Sequence, residues 1–183
     1  TLTIASGNYT GTVSNNSTSI AVPAGDLQAL SEGANSYAVN VSDAAGNAAV
    51  ESTGSFPVDT AAPTVTISLS DTSLIAGETA TVTFTFSEVP LSFEIGDIVA
   101  ENGDISDLLG SDNVYTAIYT PNSNTTDAAN DLYVVNMSYT DAAGNVGSNA
   151  FAPNFAIDTN VPNVSSVAIT SASGAANGYL NAG

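Results

Sequence analysis

The sequence predicts an all-β protein made of tandem antiparallel β-sandwich modules. A motif of the form Asp-Ala-Ala-Gly-Asn, followed after about one strand by Asp-Thr-x-x-Pro, occurs twice. Its acidic landmarks recur 98 residues apart (Asp43 to Asp141) and 99 residues apart (Asp59 to Asp158). A spacing of about 100 residues is the length of one β-sandwich domain. The chain is therefore expected to be an array of similar modules.

Short alternating segments predict the strands of this fold. In residues 81–86, for example, Val82, Phe84 and Phe86 fall on one face of an extended chain and threonines on the other. Helix signals are scarce, and a single helical turn is expected at residues 24–30, just after Pro23. Antiparallel strands in Greek-key order are predicted at residues 64–69, 81–86, 98–100, 114–119, 132–139 and 154–157.

Two prolines mark the boundaries between modules. Pro63 and Pro162 follow the Asp-Thr pairs at the same interval and predict short, stiff joints. Residues 1–59 are then the C-terminal part of one module, residues 60–158 a complete module, and residues 159–183 the first strands of a third. Residues 174–183 parallel the first hairpin region at residues 72–77, so the third module is expected to stop partway through its fold. Alternatively, copies exchange these end strands and complete each other's sandwiches.

The charge composition is extreme. The chain carries 18 acidic residues and no Lys, Arg or His. Because no salt bridge can form within the chain, each carboxylate must be solvated, hydrogen-bonded to N–H groups or neutralised by a bound cation. Carboxylates that only keep the chain soluble are the alternative. With no Cys in the chain, only oxygen ligands remain for a metal, and these suit Ca²⁺ better than Zn²⁺.

The same composition excludes several functions. A chain without basic residues has no cationic surface for nucleic acid or anionic lipid. Without His, Lys or Cys, only carboxylates could form a nucleophile-base pair, so the protein is not expected to be an enzyme. The sequence has no apolar run long enough to insert into a membrane, and its first residues do not form a signal peptide. A fragment of a longer exported chain is the simplest interpretation.

The motifs resemble a known family of repeats. Residues 39–47 read Val-x-Val-x-Asp-x-Ala-Gly-Asn, and a strand ending Val-Asp-Thr-x-x-Pro-Thr-Val follows at residues 58–65. Together with the block at residues 74–88, these motifs resemble the bacterial Ig-like repeats of large surface adhesins and biofilm-associated (Bap-like) proteins. The resemblance implies tandem immunoglobulin-like sandwiches in an extracellular, cell-surface stalk or fibre, often rigidified by Ca²⁺ between modules.

The joint between modules is the candidate metal site. In an Ig-like sandwich, the last strand leaves at the end that faces the next module's upper loops. Asp59 at the exit of the first module should therefore meet Glu88 and Asp141 of the second, where carboxylates and carbonyls would provide the oxygen ligands that Ca²⁺ takes. By the same geometry, the remaining candidates are Asp97 and Asn145 at this joint, Asp43 and Asn47 facing a preceding module, and Asp158 facing the third.

Other acidic groups have simpler interpretations. The Asp-x-x-Gly-Asn loops are also typical of hairpin turns, which is the alternative to a metal role. A further acidic stretch in the second module is expected to keep an edge strand from stray pairing, and a second metal cluster is the alternative. It consists of Glu94, Asp97, Glu101, Asp104, Asp107 and Asp112.

The repeats, the charge composition and the candidate joint favour three functions. The first is a structural repeat of an adhesin stalk or surface fibre, stiffened by Ca²⁺ at the joints, with neighbouring modules or copies as partners. The second is a subunit of a filament or surface layer that polymerises by strand exchange. The third is a module that binds a cell-surface glycan or protein.

Overall fold

The computed structural model describes residues 1–4, 7–10, 13–14, 17–18 and 20–168. It is nearly all-β with antiparallel sheets, which confirms the predicted fold class. The hairpin region predicted at residues 174–183, and any exchange of those strands, lie outside the described residues.

In the described residues, the first module consists of a four-stranded sheet and a separate two-stranded sheet. The strands of the four-stranded sheet are β1 (Leu2–Ile4), β2 (Gly7–Tyr9), β5 (Gly33–Val39) and β6 (Ser52–Val58), in the order β2-β1-β5-β6. The short strands β3 (Val13–Ser14) and β4 (Ser17–Thr18) pair with each other, and helix α1 (Ala24–Gln28) occupies the predicted helical turn. The antiparallel pair β5 and β6 places Gly33 opposite Val58, so β6 delivers Asp59 at the end of this sheet.

The second module is a two-layer sandwich. One layer has the order β11-β12-β9-β7, formed by β7 (Val65–Leu69), β9 (Ala80–Phe86), β11 (Gly103–Ser111) and β12 (Val114–Pro121). The other layer contains β10-β14-β15 and β13-β16-β8. Its strands are β8 (Ser73–Ile75), β10 (Ile98–Ala100), β13 (Thr126–Asn130), β14 (Leu132–Val134), β15 (Ala150–Phe151) and β16 (Phe155–Asp158), and the 3₁₀ turn η1 (Ile95–Asp97) precedes β10.

The core lies between these two layers. The alternation in β9 buries Ala80, Val82, Phe84 and Phe86 and turns the intervening residues outward. Phe86 makes edge-to-face contacts with a small aromatic cluster at the end of the sandwich nearest the first module. The other members of that cluster are Phe93, Tyr115 and Tyr139.

Two parts of the strand prediction were wrong. The strand expected at residues 132–139 ends at Val134, because the chain turns at residues 136–138, where Met137 has a φ of 64° and Ser138 donates to the carbonyl of Val135. Strands β8, β11, β13 and β15 were not predicted as strands. β11 is nevertheless the terminal strand of its sheet, and it carries Asp104 and Asp107 of the acidic stretch. Part of the acidic stretch therefore lies on an edge strand. A bulge beside Asp107 also interrupts the pairing of β11 with β12.

Candidate metal centre

Asp59 lies where the chain leaves the first module. It follows directly after β6, and one of its carboxylate oxygens accepts a hydrogen bond from the N–H of Ala61 at 3.1 Å. This local turn directs the chain into the proline-containing joint. The joint is further held at Pro63, whose carbonyl accepts a hydrogen bond from the buried Tyr139 hydroxyl at 3.3 Å. The position of Asp59 is thus fixed from both sides of the joint.

Asp141 lies in the Asp-Ala-Ala-Gly-Asn loop that follows β14. One carboxylate oxygen accepts from the Asn145 N–H at 2.8 Å and the other from the Asn145 side-chain amide at 2.7 Å. Gly144 has a φ of 93°, in the region that glycine adopts without strain. The loop closes so tightly that Asp141 is only 1% exposed.

Glu88 completes the group. It comes two residues after β9, next to Ser87, whose N–H donates to the carbonyl of Thr64 at the start of the second module. Carboxylate oxygens of Asp59, Glu88 and Asp141 all lie within 4.8 Å of one another. Among the described residues these are the three acidic side chains that converge in this way. They are the three that the sequence placed together at this joint.

Asn145 lies in the same place, as predicted, but it faces the carboxylates with its amide N–H groups. The side-chain nitrogen donates to the Asp59 carbonyl at 3.1 Å, and it is 3.4 Å from an Asp59 carboxylate oxygen. Since it also donates to Asp141, Asn145 links the exit of the first module to the loop of the second. Its contacts are those of a residue that positions two carboxylates.

Sequence reasoning missed Glu32. One oxygen of Glu32 accepts from both the N–H and the hydroxyl of Thr60, each at 2.7 Å. The pairing of Gly33 with Val58 continues outward to put Glu32 beside Asp59. Predicting residues 33–39 and 52–58 as paired strands would have placed Glu32 beside Asp59.

The pKa values describe how this centre holds its charge. Burial raises the pKa of Glu88, and the negative charges of Asp141, Asp59 and Glu32 raise it further. Burial also raises the pKa of Asp141, but hydrogen bonds from Asn145 and neighbouring N–H groups outweigh it and leave that pKa below its usual value. Hydrogen bonds from Thr60 lower the pKa of Glu32. Three of these carboxylates thus repel the charge of the fourth, an arrangement that a bound cation would relieve.

The other predicted ligands lie elsewhere. The Asp97 carboxylate accepts from the Glu94 N–H at 2.8 Å and caps the 3₁₀ turn η1, so it does not join the converging group. Asp158 accepts from the Thr126 hydroxyl at 2.9 Å and from the Asn160 N–H at 3.2 Å. The latter bond repeats the local turn of Asp59 at the second joint.

Asp43 and Asn47 reproduce the Asp141 loop on an exposed surface. Asp43 accepts from the Asn47 N–H and from the Asn47 side-chain amide, both at 2.8 Å, and Gly46 has a φ of 92°. The loop therefore forms these bonds without Glu88 or Asp59 nearby, so its shape is explained by turn chemistry alone. What distinguishes Asp141 is the convergence of two more carboxylates on it.

Comparison with known proteins identifies the family. The family model of the bacterial Ig-like domain matches residues 59–157, which is more than half of the 183-residue chain. No curated protein and no solved structure matches the chain. In the described part of the chain no helix has the length and apolar character needed to cross a membrane. The matched region contains strands β7 to β15 of the second module and reaches Ile157 in β16, and the chain belongs to the bacterial Ig-like domain family.

Proposed function

We propose that this chain is a structural segment of an extracellular bacterial adhesin stalk or surface fibre, in which Ca²⁺ stiffens the joint between modules. Bacterial Ig-like domains are commonly found in extracellular proteins and suggest a structural surface role. The observation that carries the calcium proposal is the convergence of Asp59, Glu88 and Asp141. One of these carboxylates comes from the first module and two come from the second.

The chemistry of this centre favours Ca²⁺ among common metal ions. Its candidate ligands are all carboxylate oxygens, and Ca²⁺ takes about six to eight oxygen ligands in a flexible geometry. Three carboxylates and water molecules would provide such a shell, and Glu32 is the nearby group that could add a fourth carboxylate. Because the chain contains no Lys or Arg, a cation from solution is needed to neutralise this charge.

The arrangement of the ligands supports a mechanical role. Asp59 is attached to the last strand of the first module, whereas Glu88 and Asp141 are attached to loops of the second. An ion bound by all three would cross-link two rigid sheets across a short joint. Without the ion, repulsion between the carboxylates opposes the same approach. Calcium is therefore expected to reduce bending at the joint rather than to create either fold.

Small-angle X-ray scattering tests this proposal. The chain is measured with millimolar CaCl₂ and again with excess EDTA, together with its melting temperature. Calcium is expected to narrow the distribution of shapes and raise the melting temperature. Identical scattering and melting in the two buffers would contradict calcium stiffening.

Matched variants locate the effect. Asp59→Asn removes a charge at the joint and keeps the shape of the side chain. Asp107→Asn removes one charge on the distant edge strand, where a φ of 53° is a conformation that Asn also tolerates. Only Asp59→Asn should abolish the calcium response. Equal responses of the two variants would assign the effect to general screening of the negative charge.

A further inference from the structure

The outer surface of the second layer carries an apolar row. In β10, β14 and β15, Ile98, Leu132 and Val134 point into the core. The alternating positions Val99, Tyr133 and Phe151 point outward, with Phe151 56% exposed and Val99 37% exposed. By contrast, the positions of β9 that alternate with its buried residues, on the other sheet, are threonines. The fold of this module therefore does not require apolar residues on its outer surface.

Strand register aligns these three side chains across the sheet. Val99 is paired with Tyr133, and Tyr133 is paired with Phe151. The rings of Tyr133 and Phe151 are 4.9 Å apart between centroids and inclined by 33°. The row therefore presents two adjacent aromatic faces and a valine, a surface suited to both apolar and cation–π contacts.

Acidic positions flank the row on both sides. Glu101, two residues after Val99, lies next to Asp131, two residues before Tyr133. The Glu101 N–H donates to the Asp131 carbonyl at 2.8 Å, and the Asp131 N–H donates to a Glu101 carboxylate oxygen at 3.0 Å. In the opposite direction, Asp97 lies next to Val135, whose N–H donates to the Asp97 carbonyl at 2.9 Å. Along β10 the order is therefore acidic, apolar, acidic (Asp97, Val99, Glu101), whereas along β14 Asp131 and Tyr133 are followed by Val135.

This order matches the pitch of an extended chain. Alternate residues of a strand lie about 7 Å apart on one face. A segment with a basic residue, an apolar residue and a basic residue at alternate positions would place each group on its complement, if it lay over β10 with its apolar residue between Val99 and Tyr133. A second copy of this chain cannot provide that pattern, because it has no Lys or Arg.

We propose that the outer face formed by Val99, Tyr133 and Phe151 binds an extended segment of another protein with the pattern basic-x-apolar-x-basic. The apolar residue packs on Val99 and the adjacent aromatic pair, and the two basic residues lie near Asp97 on one side and near Glu101 and Asp131 on the other. This face is distinct from the joint and does not depend on calcium there. The module would thus carry a lateral contact for a basic partner in addition to its contacts along the chain.

Two synthetic peptides test the pattern. The first has the sequence Thr-Lys-Thr-Val-Thr-Lys-Thr, and the second has the same composition with its two lysines adjacent, Thr-Thr-Lys-Lys-Val-Thr-Thr. Each is titrated into ¹⁵N-labelled chain in millimolar CaCl₂ and followed by NMR chemical shifts. We expect the first peptide to bind more tightly, with shifts confined to β10, β14 and β15. Equal affinities, or shifts spread over all acidic surfaces, would overturn the proposal.

Variants separate the row from the overall negative charge. Phe151→Thr should weaken binding of the first peptide about fivefold, whereas Leu109→Thr on the opposite sheet should leave it unchanged. The pair Glu101→Gln and Asp131→Asn, which preserves side-chain shape, should weaken binding more than the equally charged pair Asp104→Asn and Asp107→Asn. Wild-type affinity for the first peptide in Phe151→Thr, or in the pair Glu101→Gln and Asp131→Asn, would refute the assignment. Dimerisation of the chain through this face in analytical ultracentrifugation would refute it as well, since the occupant would then be a second copy.

Discussion

The side-chain amide of Asn145 donates to the main-chain carbonyl of Asp59 at 3.1 Å, although Asn145 lies in a loop of the second module and Asp59 directly follows the last strand of the first. The same nitrogen lies 2.7 Å from a carboxylate oxygen of Asp141. The joint is therefore held by a neutral contact before any ion is bound. An ion would act on carboxylates that are already brought together.

Glu88→Gln is expected to have opposite effects with and without calcium. In EDTA the variant should melt at a higher temperature than wild type, because it removes the charge that Asp141, Asp59 and Glu32 repel. Adding calcium should raise the melting temperature of the variant less than that of wild type, because the variant has lost a carboxylate ligand. Its affinity for calcium should be lower by about tenfold or more. Thermal unfolding in both buffers measures the two effects. A melting temperature below wild type in EDTA would show that the carboxylates do not strain the calcium-free joint.

Asp141→Asn and Asp43→Asn provide a matched pair. Both aspartates accept the same pair of hydrogen bonds from the Asn four residues later, and an Asn oxygen can still accept from the loop N–H. Calorimetric titration should show calcium binding weakened about tenfold or more by Asp141→Asn and unchanged by Asp43→Asn. If both variants bind calcium as wild type does, the two loops are only turns.

The calcium-free protein should gain stability as the pH falls from neutral toward about 4.5. The pKa of Glu88 is raised above its ordinary value of 4.5, so the folded state binds this proton more tightly than the unfolded chain does. Below that range stability should fall, because the pKa values of Glu32 and Asp141 are lowered from their ordinary 4.5 and 3.8 and protonation removes their hydrogen-bonded carboxylates. Urea unfolding across this pH range in calcium-free buffer measures both limbs. Glu88→Gln should abolish the rise and retain the fall; a rise that persists in the variant would assign it to other groups.

Tyr139→Phe tests the contact between core and joint. The Tyr139 hydroxyl lies 3.0 Å from the Ser148 carbonyl and 3.3 Å from the Pro63 carbonyl, and the residue is buried. Its removal should lower the free energy of unfolding by about 1–2 kcal/mol. Tyr115→Phe is the control within the same aromatic cluster, because in the described part of the chain the Tyr115 hydroxyl has no hydrogen-bond partner. Equal losses from both variants would show that the joint contact contributes nothing.

Much of the fold followed from local patterns. Strict alternation in β9, and the β-branched and aromatic residues of β12, predicted strands that the structure contains. β8 was missed because its pairing with β16 is parallel and joins residues far apart in the chain, which local pattern does not encode. β11 was missed because a bulge between Ser106 and Leu109 breaks its alternation.

The candidate site was predictable where topology alone decides position. Asp59 directly follows a strand, and Glu88 and Asp141 follow strands that end on the facing side, so strand order brings them together. Glu32 required the register between β5 and β6. The roles of Asn145 and Asp97 required side-chain direction: one presents its amide N–H groups to the carboxylates, and the other caps its own 3₁₀ turn.

A crystal structure of the chain grown with calcium tests the central claim most directly. The account predicts one ion at the joint, with carboxylate oxygens of Asp59, Glu88 and Asp141 at about 2.3–2.6 Å from it. Water alone between these side chains at saturating calcium, or Asp59 turned away from Glu88 and Asp141, would contradict it.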